Sequence, residues 1–174
     1  RDEKATEIYE ELKKNYRADI DLRDQYSPGY KFNYWEMKGV PIRLEIGPRD
    51  IENNQCVLVR RDTFEKTIVS LDEVDKKVGE LLDDIHNNMY NMCLENQVKR
   101  TTEAHNMDEF QKNLEENQGY IKAMWCGDEA CEDKIHEVTG AKSRCIPFDK
   151  FDIDTKCVCC SKPAKYGVIW ARQY

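Results

Sequence analysis

Hydrophobic and polar residues alternate over residues 40–46 of the chain. The apolar positions are Val40, Ile42, Leu44 and Ile46. A period of two is typical of a strand with one buried face. Gly39 precedes the segment and Gly47-Pro48 follows it, and both residue types interrupt regular structure. The pattern predicts a strand whose exposed face carries Arg43 and Glu45, followed by a turn that bears Arg49.

Three further elements are predicted before this strand. Residues 3–16 repeat apolar side chains at spacings of three and four, which indicates a helix. Residues 18–22 alternate and predict a strand. Ser27-Pro28 has the composition of a helix start, and that helix continues to about Lys38. Because strand, helix and strand follow one another within about thirty residues, we expect a βαβ unit with parallel strands.

The segment after residue 54 predicts a hairpin and a long helix. Strands at 55–61 and 66–71 are joined by a short polar turn, so they should be antiparallel. A capping box at residues 70–73 begins a helix that extends to about residue 99. Its apolar stripe is Val74, Val78, Leu81, Leu82, Ile85, Met89, Met92 and Cys93. These elements define an α/β domain, a small mixed β-sheet flanked by helices.

A polar stretch at residues 100–106 interrupts the periodicity. We therefore expect an α/β domain at residues 1–103 and a small α+β domain at 104–174. The elements predicted for the second domain are helices at 107–117 and 129–138 and strands at 120–125, 141–148 and 165–171.

Composition restricts the function classes. The chain has 174 residues, 35% of them charged, and a net charge of −7. That balance argues against a general nucleic-acid binder, DNA included, and no apolar run is long enough for a membrane span. Acidic and basic residues are nearly balanced over residues 31–66, which favours a focused polar or anionic partner there. No nucleophile elbow, metalloprotease motif or phosphate-binding glycine loop occurs, so no catalytic residue is predicted.

The distribution of the eight cysteines indicates a metal site. Cys56 and Cys93 lie in apolar patterns and are expected to be buried core thiols. The other six lie within the last 49 residues and are Cys126, Cys131, Cys145, Cys157, Cys159 and Cys160. Without a secretory signal, such clustering favours metal over disulfides.

Two close cysteine pairs have spacings that suit tetrahedral Zn²⁺. The first is Cys126 with Cys131, and the second is Cys157 with either Cys159 or Cys160, a choice that the spacing leaves open. Four thiolates leave no open coordination position, so the zinc would be structural. The alternatives are reduced core cysteines and, with less support, a redox pair.

The predicted sheet face carries a second candidate site. Its members are Glu36, Arg43, Glu45, Arg49 and Lys66, with Tyr34 and Trp35 available for stacking. Carboxylates can accept from the N–H groups of guanine, Arg can donate to its O6 and N7, and aromatic rings stack on unpaired bases. The same residues fit a salt-bridged sheet face over core aromatics, and spacing alone favours that interpretation.

Two sets of motifs resemble a known family. The first is Trp35-Glu-x-Lys-Gly-Val-Pro-Ile-Arg43-x-Glu45-x-Gly-Pro-Arg49-Asp50 with Val59-Arg-Arg-Asp62, and it closely resembles the anticodon-binding domain of prolyl-tRNA synthetases. The second comprises Cys126-Gly-Asp-Glu-Ala-Cys131, Gly140-to-Phe148, Cys157-Val-Cys159, Lys162-to-Tyr166 and Tyr174. It resembles the zinc-containing C-terminal extension of the archaeal and eukaryotic-like branch of that family.

The resemblance implies ligands for both sites. The first domain would bind the anticodon loop of proline tRNA, whose second and third anticodon bases are guanine. Glu36, Arg43 and Arg49 match positions of anticodon contacts, and Lys66 falls near another. The family's zinc ligands match Cys126, Cys131, Cys157 and either Cys160 or Cys159. The carboxylate of Tyr174 would fold back toward the catalytic domain.

The resemblance also implies a larger enzyme. A class II catalytic domain that uses ATP and Mg²⁺ would precede Arg1, so this chain alone would not make prolyl-adenylate. The expected partners are proline tRNA and that catalytic domain, in a homodimeric cytoplasmic enzyme. Two alternatives remain, a stand-alone RNA-binding or regulatory module and a structural zinc module for protein contacts.

Overall fold

The structure is a computed structural model that describes residues 2–173. The chain divides into two compact units between Asn91 and Met92, and we refer to them as the first and second unit. The predicted role of Tyr174 lies outside the described residues. The domain boundary at 103/104 stays a prediction, although the strand at residues 101–103 pairs within the second unit. None of the described helices has the length and apolar character needed to cross a bilayer.

The elements that begin in the first unit are four helices and three strands. They are α1 (Asp2–Leu12), α2 (Pro28–Met37), β1 (Ile42–Glu45), α3 (Pro48–Glu52), β2 (Gln55–Arg60), β3 (Lys66–Ser70) and α4 (Val74–Lys99). The sheet has the order β1-β2-β3, and both pairings are antiparallel. The α/β fold class and the hairpin of β2 and β3 are confirmed.

The predicted βαβ unit is wrong. Residues 18–22 form no strand in the described chain, so β1 has no parallel neighbour. Side chains hold this segment instead, because the Asp21 carboxylate accepts hydrogen bonds from Arg23 at 2.9 and 2.7 Å and from Trp35 Nε1 at 2.9 Å. The alternation at 18–22 therefore reflects side-chain contacts and not a pleated strand.

The buried face of β1 is confirmed. Ile42, Leu44 and Ile46 pack against a core formed by the inner faces of β2 and β3 and the first three turns of α4. The buried members of that core are Cys56, Leu58, Val69, Val74, Val78 and Leu81. The opposite side of β1, which bears Arg43 and Glu45, is consequently turned away from the core.

Two local predictions near the sheet are corrected. The turn after β1 is the short helix α3, which Gly47 caps in an extended conformation with Pro48 in its first turn. Arg49 is therefore a helical, exposed residue. The capping box at residues 70–73 is also wrong, because Ser70 Oγ accepts from the Asp72 amide at 3.3 Å in a turn and α4 begins at Val74.

The apolar stripe of α4 is buried only in its first half. Burial extends from Val74 to Ile85, whereas Met89 and Met92 are half exposed. Cys93 is exposed, so the prediction that it is a core thiol is wrong. Cys56 is fully buried as predicted, and burial raises the pKa of its thiol to about 11.

The second unit contains a four-stranded sheet and two helices. Its elements are β4 (Thr101–Glu103), α5 (Met107–Asn117), β5 (Tyr120–Trp125), α6 (Glu129–Thr139), β6 (Ala141–Cys145) and β7 (Tyr166–Arg172). The strand order is β4-β5-β7-β6, with β4 parallel to β5 and the other pairs antiparallel. Trp170, Phe110, Leu114, Ile121 and Ile135 are fully buried at its centre. The strand predicted at 141–148 is shorter in the structure: β6 ends at Cys145, Pro147 follows two residues later, and Phe148 is completely exposed.

Candidate functional sites: a charged sheet face and a cysteine cluster

The register of the first sheet assembles the charged face. Arg43 lies opposite Val59, and Val59 lies opposite Lys66, so the three residues form one row across the strands. Glu45 lies in the neighbouring row with Val57 and Ile68. Since side chains in a row share a face, Lys66 on β3 and the two β1 residues belong to one surface.

Arg43 is the centre of a set of ion pairs on this face. Its Nη1 donates to Glu36 Oε1 at 2.5 Å and its Nε donates to Glu45 Oε1 at 2.9 Å. The guanidinium lies 4.1 Å from the centroid of the Phe32 ring, within cation–π range. Glu45 Oε2 lies 3.6 Å from Lys66 Nζ. We call Glu36, Arg43, Glu45 and Lys66 the Arg43 network.

The Arg43 network is partly buried around its central guanidinium. Arg43 has 18% of its side chain exposed, Glu36 29% and Glu45 22%. Arg43 donates two hydrogen bonds to carboxylates, which leaves further N–H groups for another acceptor. The network also contains two cations and two anions, so it carries no net charge. The arrangement fits the predicted salt-bridged face and keeps donors available for recognition.

Two other sequence-predicted groups lie apart from the network. Arg49 on α3 is exposed and makes no ion pair with any residue that the structure describes. Trp35 donates its indole N–H to Asp21, and Arg23 lies 4.6 Å from the ring centroid of Tyr34. The hydrogen bonds from Arg23 hold the pKa of Asp21 far below its usual range. Tyr34 and Trp35 are therefore engaged within the unit, which weakens their candidacy as stacking platforms.

Arg61 is a candidate that the sequence analysis did not single out. It follows β2, and its Nε donates to the backbone oxygen of Glu36 at 2.8 Å. A shallow depression is lined by Arg61, Glu36 and Arg43 together with Phe32 and Val59. Strand alternation could have indicated it, because Arg60 points inward and the next residue must point outward.

Arg60 belongs to a buried ion pair that holds the hairpin to α4. Its guanidinium donates to both carboxylate oxygens of Asp62, at 2.9 and 2.7 Å, and also to Asp84 on α4. Asn88 on α4 donates to Asp62 at 2.8 Å. Hydrogen bonding from Arg60 lowers the pKa of Asp62 to about 2. These contacts fix the position of the β2–β3 turn, next to Arg61.

The second site is a cluster of four thiols in the second unit. The Sγ atoms of Cys126, Cys131, Cys157 and Cys160 all lie within 4.8 Å of one another. Cys126 Sγ is 3.7 Å from Cys131 Sγ and 3.8 Å from Cys160 Sγ. Four sulfurs bound at about 2.3 Å to a tetrahedral zinc would be about 3.8 Å apart. The spacing thus matches a tetrahedral metal site, and it is far too long for a disulfide bond.

Backbone hydrogen bonds bring the two halves of this cluster together. Cys126 directly follows β5, and Cys131 lies in the first turn of α6. The amide of Val158 donates to the Met124 oxygen at 2.9 Å, and the amide of Lys165 donates to the Trp125 oxygen at 2.8 Å. The loop that carries Cys157 and Cys160 is therefore attached to the end of β5.

Each half of the cluster contains a tight turn next to a cysteine. Gly127 has φ +91° and Ser161 has φ +62°, both in the left-handed region. The backbone amides of Asp128 and Lys162, which follow these turns, favour the thiolate forms of Cys126 and Cys160. The Lys162 amide lowers the pKa of Cys160 to about 7, whereas burial raises the pKa of Cys126 and Cys131. Amide donors of this kind stabilise the thiolate that a metal requires.

The structure distinguishes the two candidates for the fourth thiol. Cys160 belongs to the group of four, whereas Cys159 does not, and burial raises the pKa of Cys159. Four converging sulfurs without a disulfide form a donor set that suits Zn²⁺. Three of the four cysteines are buried, which fits a structural metal rather than a catalytic one.

Comparison with known proteins assigns both parts of the chain to families. Residues 2–81 match the family model described as anticodon binding domain. Residues 107–174 match the model described as prolyl-tRNA synthetase, C-terminal. Together the two models cover most of the chain, all but residue 1 and residues 82–106, in the order that the motifs predicted.

Individual relatives give the same result. The chain is 55% identical over 172 residues to a proline–tRNA ligase of Clostridium botulinum (strain ATCC 19397 / Type A). It is 51% identical over the same length to the proline–tRNA ligases of Clostridium novyi (strain NT) and Oceanobacillus iheyensis. Each alignment covers 99% of this chain and 36% of the relative. The chain thus spans about a third of the length of the curated relatives it matches.

These findings define the class first. The two matches and the order of an α/β domain before a small α+β domain place the chain among the C-terminal parts of aminoacyl-tRNA synthetases. Within that class, the chain belongs to the prolyl-tRNA synthetase family and corresponds to its C-terminal part. The three relatives named are bacterial, so membership of this chain in the archaeal and eukaryotic-like branch stays a prediction.

Proposed function

We propose that this chain is the tRNA-recognition part of a proline–tRNA ligase, which attaches proline to proline tRNA in an ATP-dependent reaction. The first unit would bind the anticodon stem-loop, and the second would carry a structural zinc. The observation that carries the proposal is the Arg43 network on the charged sheet face of a domain that matches the anticodon-binding family. The activity itself would require the class II catalytic domain with its ATP and Mg²⁺.

The Arg43 network has chemistry suited to guanine. Arg43 retains donors that can reach the O6 and N7 acceptors, and Glu36 offers a carboxylate to the N1 and N2 donors. Glu45 and Phe32 hold the guanidinium from two sides, which reduces the side-chain entropy that binding would cost. The exposed Arg49 adds positive charge on the same unit, and Lys66 is held beside Arg43 through Glu45. In this proposal, the predicted RNA-binding residues Glu36, Arg43, Arg49 and Lys66 contact the anticodon loop.

The proposed zinc would stabilise the second unit. Cys126, Cys131, Cys157 and Cys160 would bind it, and their full coordination leaves no position for a reacting molecule. The metal would supply a cross-link between the end of β5, the start of α6 and the loop at 157–160. The remaining expectations complete the proposal: association with the catalytic domain, a homodimeric parent enzyme in the cytoplasm, and no membrane or DNA partner.

Binding to proline tRNA tests the proposal. The chain should prefer proline tRNA over the same tRNA with its two anticodon guanines replaced, measured at a stated salt concentration. Equal affinity for the two RNAs would refute anticodon recognition. Weak binding to both, without any preference, would favour the alternative of a zinc module that makes protein contacts.

Replacement of Arg43 sharpens the same test. Arg43→Ala should cost about 1–3 kcal/mol on proline tRNA, because the donors to guanine are lost. On the anticodon-replaced tRNA the loss should vanish. An equal loss on both RNAs would make Arg43 a phosphate-binding or folding residue instead.

A further inference from the structure

The charge balance of the Arg43 network gives the proposed RNA site no net attraction for the phosphates of RNA. Two carboxylates compensate Arg43 and Lys66, so these four residues present no net charge to a polyanion. Phosphate contacts by cations supply much of the affinity of nucleic-acid binding and make that affinity dependent on salt. A site that reads bases through a neutral network therefore needs cations beside it.

Arg61 has the properties of such a cation. It lies beside the network, because its Nε donates to the backbone oxygen of Glu36 while the Glu36 carboxylate accepts from Arg43. Arg61 is exposed, and within residues 2–173 it has no carboxylate partner. Arg60, its neighbour in sequence, is in contrast buried and compensated by Asp62 and Asp84.

The position of Arg61 is fixed at both ends. Its amide donates to the Pro41 oxygen at 2.9 Å, next to β1, and its Nε is held by the end of α2. After the Nε bond, both terminal nitrogens of the guanidinium keep their N–H groups, a planar fork that matches two oxygens of a phosphate. Little side-chain freedom remains to be lost on binding.

We propose that Arg61 is a further RNA-binding residue that contacts a backbone phosphate beside the Arg43 network. It contributes affinity and salt dependence, and it contributes no preference for guanine. The inference rests on the proposed function, because it takes RNA to be the ligand of the first unit.

The test compares Arg61→Ala with the unchanged chain on proline tRNA and on the anticodon-replaced tRNA, over a series of salt concentrations. Arg61→Ala should weaken binding to both RNAs by the same factor, about tenfold at low salt. The slope of log K against log salt should decrease by about 0.7–0.9, the value for one lost phosphate contact. Arg43→Ala, in contrast, should lower the preference for guanine.

Two control variants keep the test decisive. Lys76→Ala removes one charge from α4, which packs on the other side of the sheet, and its side chain is 80% exposed. It should leave both affinity and slope unchanged. Arg61→Lys keeps the charge but not the Nε bond to Glu36, so the slope should be preserved. A slope for Arg61→Lys as low as that for Arg61→Ala would make Arg61 a structural residue and overturn the inference.

The remaining outcomes separate this inference from the proposed function. An unchanged affinity and slope for Arg61→Ala overturn the inference alone, and so does a loss confined to the guanine-containing anticodon. If the unchanged chain binds both RNAs equally, anticodon recognition fails. Even then, the phosphate contact would be supported if Arg61→Ala weakened binding to both RNAs equally and lowered the slope of log K against log salt.

Discussion

The two units hold their candidate sites together by different physical means. In the first unit, every member of the Arg43 network lies between residues 36 and 66, and strand register with partly exposed ion pairs sets the geometry. In the second unit, the thiols come from two segments separated by 25 residues and converge in a largely buried cluster. In the first site the charged side chains compensate one another without a ligand. In the second site the four thiols are spaced as the ligands of a tetrahedral metal ion would be.

This difference determines how each site should fail. Ion pairs at a partly exposed surface contribute little to stability, so their loss should change binding and leave the fold intact. Thiols around a structural zinc contribute folding free energy directly, about 10–16 kcal/mol in zinc-finger peptides. The comparison therefore predicts large structural effects in the second unit and small, specific binding effects in the first.

Removal of one cysteine pair should have the largest effect. Cys126→Ser/Cys131→Ser should reduce the metal content from about one ion per chain to none and expose the amides around Phe110 and Trp170 to hydrogen exchange. The amides of β1–β3 should keep their protection. The matched control is Cys93→Ser/Cys145→Ser, which removes two exposed thiols outside the cluster. Retained metal in the first variant would refute the site.

Two adjacent cysteines offer a sharper test of the cluster. Cys160→Ser should weaken zinc binding by about 3 kcal/mol, roughly a quarter of the total, because one of four ligands is lost. Cys159→Ser should bind zinc normally, since Cys159 lies outside the group of four. Competition with a chelator of known zinc affinity measures both values. The opposite ranking would assign the fourth ligand to Cys159.

Local patterns predicted most of the fold. The hairpin of β2 and β3, helix α4 and, in the second unit, helices α5 and α6 and strands β5, β6 and β7 follow from apolar periodicity, and the structure confirms them. Strand β4 was not predicted, because it lies in the polar stretch at residues 100–106. Residues 18–22 show where this inference stops, because the same alternation arises when Asp21 bonds to Arg23 and Trp35. A sequence pattern does not distinguish a strand from an extended segment that side chains hold.

The sites were predictable to different degrees. Spacing indicated both cysteine pairs, but it could not separate Cys159 from Cys160, because the backbone path of the loop, which places the Cys160 sulfur in the group, is not visible in the spacing. The motif match predicted Arg43 and Glu36 as binding residues, which stays a prediction, and it could not show their mutual ion pair, which depends on how α2 meets β1. Alternation along β2 could have indicated that Arg61 points outward, but it could not reveal the bond from Nε to the backbone oxygen of Glu36.

The buried pair of Arg60 and Asp62 is an exception to the weak ion pairs of the first unit. Only 8% and 5% of these side chains are exposed. The pKa of Asp62 is lowered to about 2 from 3.8. A carboxyl group whose pKa is lower in the folded than in the unfolded protein stabilises the fold. Its full contribution is present above the pKa of the unfolded state, and it is lost as the pH decreases through the pKa of the folded state. We therefore expect the free energy of unfolding of the first unit to decrease by about 2 kcal/mol when the pH is lowered from 4 to 2.

Asp62→Asn tests that expectation. The variant should be less stable at pH 7, because Arg60 loses its main partner, and its stability should vary less between pH 4 and pH 2. Urea unfolding followed at several pH values measures both effects. The control Asp83→Asn lies on α4, one residue before the Asp84 partner of Arg60. An acid dependence that Asp62→Asn leaves unchanged would show that other carboxylates cause it.

Glu45 should give the smallest effect and the most specific one. It bonds to Arg43 Nε and approaches Lys66, so we expect it to orient Arg43 and not to contact RNA itself. Glu45→Ala should lower the preference for guanine by about 0.5–1 kcal/mol, even though loss of a negative charge favours binding to any RNA. In an Arg43→Ala background the same substitution should leave the preference unchanged. If the effect on preference persists there, Glu45 reads the RNA directly and the first unit has a second base-contacting carboxylate.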